Sequence, residues 1–508
     1  MNKMTENSNK KYDILIAGAG FAGSVTSLIL NNLGFKVCLI EKGKHPRFAI
    51  GESSTPVADL IIRNLATKYN LPWLYDFSRY GTWQKTHPEV VCGIKRGFSY
   101  YKQYPGKAFT TDEEHINELL VAASSDDVQS DTNWLRADFD AFLVSKVKEY
   151  GIDYFDQAEI VSAERNADWQ FQVNQFNENI ILNASFFIDA TGSSKLLNQL
   201  MGIDSSSEEF LTNSFSIFSH FNQVPKWLEI LQEEKIPTDD YPYNPDNSAL
   251  HQILDEGWIW MLRFNDDRLS FGFVLDDTNE FYKNLPTEKI WNDLLDKYPS
   301  VKRIIKDCEL STVPGKILRS ERLQRKLKQS YGDGWVALPH TIGFVDPLFS
   351  SGIAHSLAGI EKIIDIISKD WDNKTLLDLD LKEYQNAVFE ELKITDNLVA
   401  GCYKTMPYFG LFNAWSMLYF AATIAHEQRR IKKEIPGYFL NADDKAIREM
   451  VQTSYADLLK IIENKQPTEA DIKSFTELIR ERIKPYNIAG LLDPSSKNMY
   501  RHTVAKIE

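Results

Sequence analysis

The chain has 508 residues, a formal net charge of −14, and 43% apolar and 25% charged residues. Such a length holds roughly two to four domains with sizeable cores, and the acidic balance argues against nucleic acid as a partner. Cys38, Cys92, Cys308 and Cys402 are scattered without a CxxC pair, which predicts a reducing, cytoplasmic setting and no metal site. Met1 to Lys10 is polar and has no apolar core, so no signal peptide is expected there.

In chain order, Asp13 to Ala17 is an apolar run of strand length that enters Gly18-Ala19-Gly20-Phe21-Ala22-Gly23. Ser24 to Leu33 carries Val25, Leu28 and Ile29 at helical spacing and stops at Gly34; Lys36 to Ile40 is a second strand ending at Glu41. Strand, glycine turn, helix, strand and acid at this spacing predict a Rossmann-like dinucleotide site. In it Gly18 makes the turn, Gly20 admits a pyrophosphate to the helix N-terminus, Gly23 lets helix and strand pack, and Glu41 accepts from a ribose.

Asp59 to Lys68 reads as a helix, Tyr69 to Glu89 has no clear period, Gly97 to Lys102 reads as a strand and Asp112 to Ala123 as a helix. A helix opens at the Arg136-Ala137-Asp138-Phe139-Asp140 run, and short strands follow at Glu159–Ala163, Trp169–Val173 and Ile180–Leu182. Phe186 to Gly192 is a buried strand entering a turn and, with Trp335 to Leu338, returns to the first sheet. Between them, Phe210 to Val313 reads as an antiparallel sheet. Gly343 to Ile353 leads into a helix over Ala354–Ser368, and helical periods dominate from Leu376 on. The uncharged stretch Thr405 to Ala425 is expected to be a buried helix; a tunnel wall or a membrane contact are the alternatives. The expected class is α/β, with a dinucleotide-binding unit over 11–80, 130–200 and 320–370, a β-sheet substrate unit over 81–129 and 201–319, and a helical unit over 371–508.

These motifs together resemble the flavin-dependent halogenases, flavoproteins of secondary metabolism related to aromatic hydroxylases. The resemblance rests on Gly18-x-Gly20-x-x-Gly23, Gly51-Glu52-Ser53, Arg136, Asp189-Ala190-Thr191-Gly192, Trp258-x-Trp260, and Gly343-Phe344-Val345-Asp346-Pro347-Leu348-Phe349-Ser350-Ser351-Gly352. It implies FAD reduced by a separate flavin reductase, O2, chloride or bromide, and a small aromatic substrate, free or carrier-bound. For the cofactor it implies Gly18, Gly20, Phe21, Ala22, Gly23, Glu41, Lys42, Ser53, Arg136, Asp189, Gly192, His340, Asp346, Gly352 and Ile353. It further implies a halide at the backbone N–H groups of Ser351, Gly352 and Ile353, where a plain N-cap by Ser350 or Ser351 is the alternative. Lys95 is implied to capture hypohalous acid, with Lys85 the alternative, and Trp258 and Trp260 to wall substrate from flavin. Phe98, Tyr100 and Phe349 are implied on the substrate side.

Three positions depart from the family pattern. Arg263 stands where the Trp-x-Trp motif has proline. His340 lies where Gly-Asp-Ala holds the ribityl chain, and its ring nitrogen can serve instead. Phe349 replaces the Glu of tryptophan-acting members, which points to phenols or pyrroles. The run Arg319, Arg322, Arg325, Lys326, Lys328 reads as a solvated helix face that an acidic carrier could also meet. Arg263 and His340 also fit a non-halogenating flavin oxidoreductase, and a non-catalytic ligand-binding relative is the second alternative.

Overall fold

The computed structural model describes residues 10–278, 280–432, 437–463 and 466–501, so residues 1–9 of the polar N-terminal stretch lie outside the described residues. Lys11–Ala17, buried and apolar from Ile14 on, lies within a sheet ordered Tyr331–Gly332, Trp335–Ala337, Glu178–Asp189, Lys11–Ala17, Val37–Ile40, Asp153–Phe155. All neighbours but the Tyr331–Gly332 edge run parallel, and both faces are buried, as the near-continuous apolar strands require. Ala17 pairs with Asp189 and Ile40, and Asp189 with Ala337, so the strands end together. Their carboxyl ends carry the glycine turn into the Phe21–Asn32 helix and the turn at Ala190–Ser193. Two runs read separately, Ile180–Leu182 and Phe186–Ile188, are one long strand, Glu178–Asp189.

A second sheet has nine strands, and Ser214–Asn222, Leu269–Asp276, Gly257–Arg263 and Ala249–Ile253 run antiparallel through it. Gly97–Lys102 continues it parallel to Ala249–Ile253, and Glu118–Ala122 follows antiparallel. The helix expected over Asp112–Ala123 is therefore corrected. Asp112 Oδ1 accepts from the N–H groups of Glu114 and Ile116, which closes a turn, and the following Leu-Leu-Val-Ala run satisfies its backbone on Gly97–Lys102. The C-terminal region is not wholly helical either: Met499–Tyr500 pairs with this edge.

Helices Gly352–Asp370, Lys374–Thr405 and Phe409–Ile431 pack against both sheets. The last is the uncharged stretch, buried along most of its length, and its Trp415 indole N–H donates to Leu398 O at 2.7 Å. Among the described residues no helix is long and apolar enough to cross a membrane.

Candidate active site

The strand ends, the Gly352–Asp370 helix start and the Trp face of the second sheet enclose a cavity of about 940 Å³. Its narrowest architecture is at the glycine turn. Gly18 has φ +99°, and a Cβ there would stand 2.5 Å from Ala190 O; one on Gly23 would stand 1.9 Å from Gly18 O. Only glycine permits the turn and the helix–strand contact behind it. Gly18, Gly20, Phe21, Ala22, Glu41, Lys42, Ser53, Arg136, Gly192, His340, Asp346, Ser351, Gly352, Ile353, Trp258 and Trp260 all line the cavity.

At the Glu41 end, the carboxylate accepts from Ala19 N at 3.0 Å, Gly43 N at 2.8 Å and Arg47 Nη2 at 3.2 Å. Burial opposes its charge, yet Arg47 and the two N–H groups hold its carboxyl below the usual range. Lys42 sits at the rim, paired with Glu159 at 2.6 Å. Arg136 is clamped by Asp140 through two 2.9 Å bonds, donates to Ile50 O at 3.0 Å, and lies over the Phe21 ring.

His340 donates through Nε2 to Ala190 O at 3.0 Å, and its buried Nδ1 has no partner. Burial lowers its pKa to about 4, so at neutral pH Nδ1 is an unpartnered acceptor. Ser53 Oγ is likewise buried and unpartnered. Two expected contacts are corrected. Asp189 does not line the cavity: it accepts from Thr191 N at 2.8 Å and holds the turn from behind. Gly23 also stands behind the wall, as its packing role demands. Asp346 reaches the cavity but accepts from Ser214 Oγ at 3.0 Å and Tyr403 at 2.8 Å; burial raises its pKa to about 6.

The Gly352–Asp370 helix begins without a side-chain cap on Ser351, so the plain N-cap alternative is not what is seen. Ser350, at φ +52°, turns the chain so that the first helical N–H groups border the cavity. Trp258 and Trp260 project from one face of Gly257–Arg263 with ring centres 6.2 Å apart. His251, which sequence reading missed, lies 5.1 Å from Trp258 with its ring tilted and also lines the wall. Arg325 was missed as a site residue too: it donates to Gly192 O and His340 O at 2.7 Å each, tying two turns together. That corrects the basic run, which is no helix. Arg319 and Arg325 lie on short strands, and Arg319, Arg322 and Arg325 each staple backbone carbonyls.

Lys95 does not line this cavity. It is fully buried, donates to Ser54 O at 2.5 Å and sits 4.0 Å from the Phe98 ring centre. Burial lowers its pKa to about 8 against the pull of Asp131 and Asp59. Lys85, the alternative, is exposed on the Tyr80–Thr86 helix. Phe98 lines a second, small cavity of about 20 Å³ with Thr55, Tyr419, Phe420 and Glu427. Tyr100 and Phe349 reach neither cavity: Tyr100 packs on His251 and Phe412, and Phe349 stacks 4.0 Å from Tyr419. Among the described residues no group of three or more His, Cys, Asp or Glu side chains is placed to hold a metal ion.

The family model described as Tryptophan halogenase matches residues 133–408, which carry Arg136, the Asp189 turn, the Trp wall and the Gly352 helix start. The chain belongs to this halogenase family. It is 25% identical over 439 residues to the monodechloroaminopyrrolnitrin halogenase PrnC of Pseudomonas fluorescens, covering 84% of this chain and 74% of that one. It is 24% identical over 444 residues to the tetracycline 7-halogenase of Kitasatospora aureofaciens, with 84% and 76% covered. The crystal structure of halogenase PltM with phloroglucinol and FAD superposes with a TM-score of 0.85 at 22% identity, over 96% of this chain and 99% of that chain. The glycine turn and Lys95 fall outside the 133–408 match.

Proposed function

We propose that the chain is an FAD-dependent halogenase that uses reduced flavin, O2 and chloride or bromide to halogenate an electron-rich phenolic or pyrrolic aromatic, free or carrier-tethered. The observation that carries this is a fully buried lysine 4.0 Å from the Phe98 ring centre, together with a large cavity lined by the glycine turn, the Gly352 helix start, Trp258 and Trp260. The cavity fits FAD: a pyrophosphate meets the glycine turn and helix N-terminus, and the orphan His340 Nδ1 and Ser53 Oγ await polar partners. Glu41 and Arg136 would border the adenosine end and the dinucleotide, and Asp189 and Gly192 would shape the turn beside it. The units 11–80, 130–200 and 320–370 would form the cofactor frame, 81–129 and 201–319 the substrate sheet, and 371–508 the helical cover. A cytoplasmic setting belongs to the proposal and agrees with four free cysteines.

When bound, reduced flavin with O2, delivered by a separate reductase, supplies the oxidising equivalent that turns halide into hypohalous acid. The N–H groups of Ser351, Gly352 and Ile353 hold the halide at the positive end of a 19-residue helix. Trp258 and Trp260 keep the aromatic off the flavin and leave passage only to the small oxidant. Lys95, as the amine, attacks the halogen: an N–X bond forms, the X–O bond breaks, and hydroxide leaves with one amine proton as water. The ring beside Phe98 then takes the halogen, and the ring proton it loses returns the amine. Arg263, one of the two residues that fitted a non-halogenating reading, donates to Val224 O and Pro225 O at 3.1 and 3.0 Å and pairs with Asp246, so it serves as a brace.

The test is mass spectrometry of products from a panel of phenols and pyrroles with FAD, reductase, NADH and bromide. A brominated product with its isotope doublet, absent without bromide, is expected. Flavin-dependent oxygenated or dehydrogenated product, indifferent to halide, would contradict the proposal.

A further inference from the structure

Lys95 is one of three buried charged groups that meet from three segments. Asp131 is its register partner on the antiparallel strand Asp131–Trp134. Asp59 comes from the first turn of the Pro56–Lys68 helix. Lys95 is 0% exposed, Asp131 2% and Asp59 3%. Ser54 joins two of them: its carbonyl accepts from Lys95 Nζ at 2.5 Å, and its hydroxyl donates to Asp59 Oδ1 at 3.5 Å while accepting from Thr132 N at 3.1 Å. The two carboxyl groups interact by hydrogen bonding that shifts the ionisation of both, and Asp131 Oδ2 has no hydrogen-bond partner.

Two carboxylates at hydrogen-bond distance in a dry site cannot both ionise; they must share a proton. A lone buried ammonium is equally costly, and one negative charge beside it is the cheapest remedy. We propose that Asp59 and Asp131 are positioning residues for Lys95: a carboxyl pair that holds one proton and keeps a single negative charge beside the amine. This rests on the reading of Lys95 as the residue that captures the oxidant. Asp131 stands directly across the strand pair from Lys95 and Asp59 does not, so the charge is assigned to Asp131 and the proton to Asp59; burial pushes both carboxyls up. Other groups face the cluster: Arg63, whose Nη1 donates to Ser78 O at 3.2 Å, from the Asp59 helix; His251 from Ala249–Ile253; and Tyr419 and Glu427 from Phe409–Ile431. Arg63 and neutral His251 add no negative charge, and Asp131 already acts on Tyr419. The pair therefore sets the pH at which Lys95 passes from ammonium to amine. No residue of the cofactor cavity has this effect on it.

The test needs no aromatic substrate. Full-length enzyme turns over with FAD, reductase, NADH and bromide, is passed through gel filtration, and its bound oxidising equivalents are titrated with a chromogenic thiol across pH. Wild type should retain oxidant with a pH midpoint, and Lys95→Ala should retain none. Retention by Lys95→Ala equal to wild type would overturn the reading of Lys95 itself, independently of the pair. The double variant Asp59→Asn/Asp131→Asn removes the charge, so its midpoint should move about one pH unit or more toward acid, because an unpaired buried ammonium loses its proton more readily. Asp131→Asn should move the same way and Asp131→Glu should return toward wild type. Asp59→Asn removes the protonated member, leaves the charge, and should move the midpoint much less. A folded, FAD-binding double variant with the wild-type midpoint would overturn the proposal, as would Asp59→Asn shifting as far as the double. If the double variant does not fold, Asp131→Asn decides alone, by shift or no shift.

Discussion

The two ends of the site are built on opposite principles. The cofactor end is made of backbone: two turns at the ends of parallel strands, a helix start, and side chains such as Arg136 and Arg325 that brace those turns. It is roomy, and two of the residues that line it, Ser53 and His340, carry buried polar atoms without partners. The Lys95 end is made of side chains: a buried amine, two buried carboxyls and the Phe98 ring, which also borders a small cavity of about 20 Å³. An open backbone cradle recognises a large polar ligand through many fixed dipoles, and a closed side-chain cluster tunes one reactive group. Binding and halogen transfer should therefore fail separately.

The largest effect should come from closing the cradle. A side chain on Gly20 first meets Arg136 Nη2 at 3.3 Å and Arg47 Nη2 at 3.7 Å, both ends of flexible chains, so Gly20→Val should fold. It would occupy the space of the pyrophosphate, and FAD affinity by fluorescence titration should fall about 10³-fold or more, roughly 4 kcal/mol. Unchanged flavin uptake would erase the distinction between the ends.

Next in size is the pH response of the closed end. Lys95 is displaced downward to about 8, so below that pH it is mostly ammonium and above it mostly amine. Halogenated product per flavin oxidised should rise by about tenfold per unit as pH approaches 8 from below, then level off. Flavin binding, which depends on a neutral His340 and an ionised Glu41, should stay flat between roughly pH 6 and 9. A flat product profile would mean that Lys95 does not change charge in the reaction.

The smallest effect sharpens the assignment. Lys85 is solvent-exposed in the last turn of its helix, so Lys85→Ala should change stability and product rate by less than about 0.5 kcal/mol. A loss comparable to that of Lys95→Ala would move the capture site.

The same contrast explains what was legible. Gly18 to Glu41 could be read as strand, turn, helix and strand because a backbone cradle is encoded locally, within one stretch whose glycines each answer a contact. The Trp258/Trp260 face followed from strand alternation alone. The Lys95 cluster could not be read in the same way. Asp59 lies in a helix whose apolar pattern gives no sign of a buried acid, and Asp131 becomes its partner only when Cys92–Lys95 pairs with Asp131–Trp134. His251 looked like any strand residue until Trp258 closed over it. Asp112–Ala123 misled because a short apolar run satisfies helix and buried strand alike, and the neighbouring strand decided. The arginines from Arg319 to Arg325 misled because charge suggested solvent, whereas their guanidinium groups bind backbone carbonyls inside.

The separability of the two ends is tested most directly in Lys95→Ala, by following flavin reoxidation and halogenated product in the same reaction. The account predicts that flavin uptake and reoxidation by O2 stay near wild type while product falls by about 10²-fold or more, roughly 2.7 kcal/mol in the transition state. Product formed at the wild-type rate, or reoxidation falling in step with product, would contradict it.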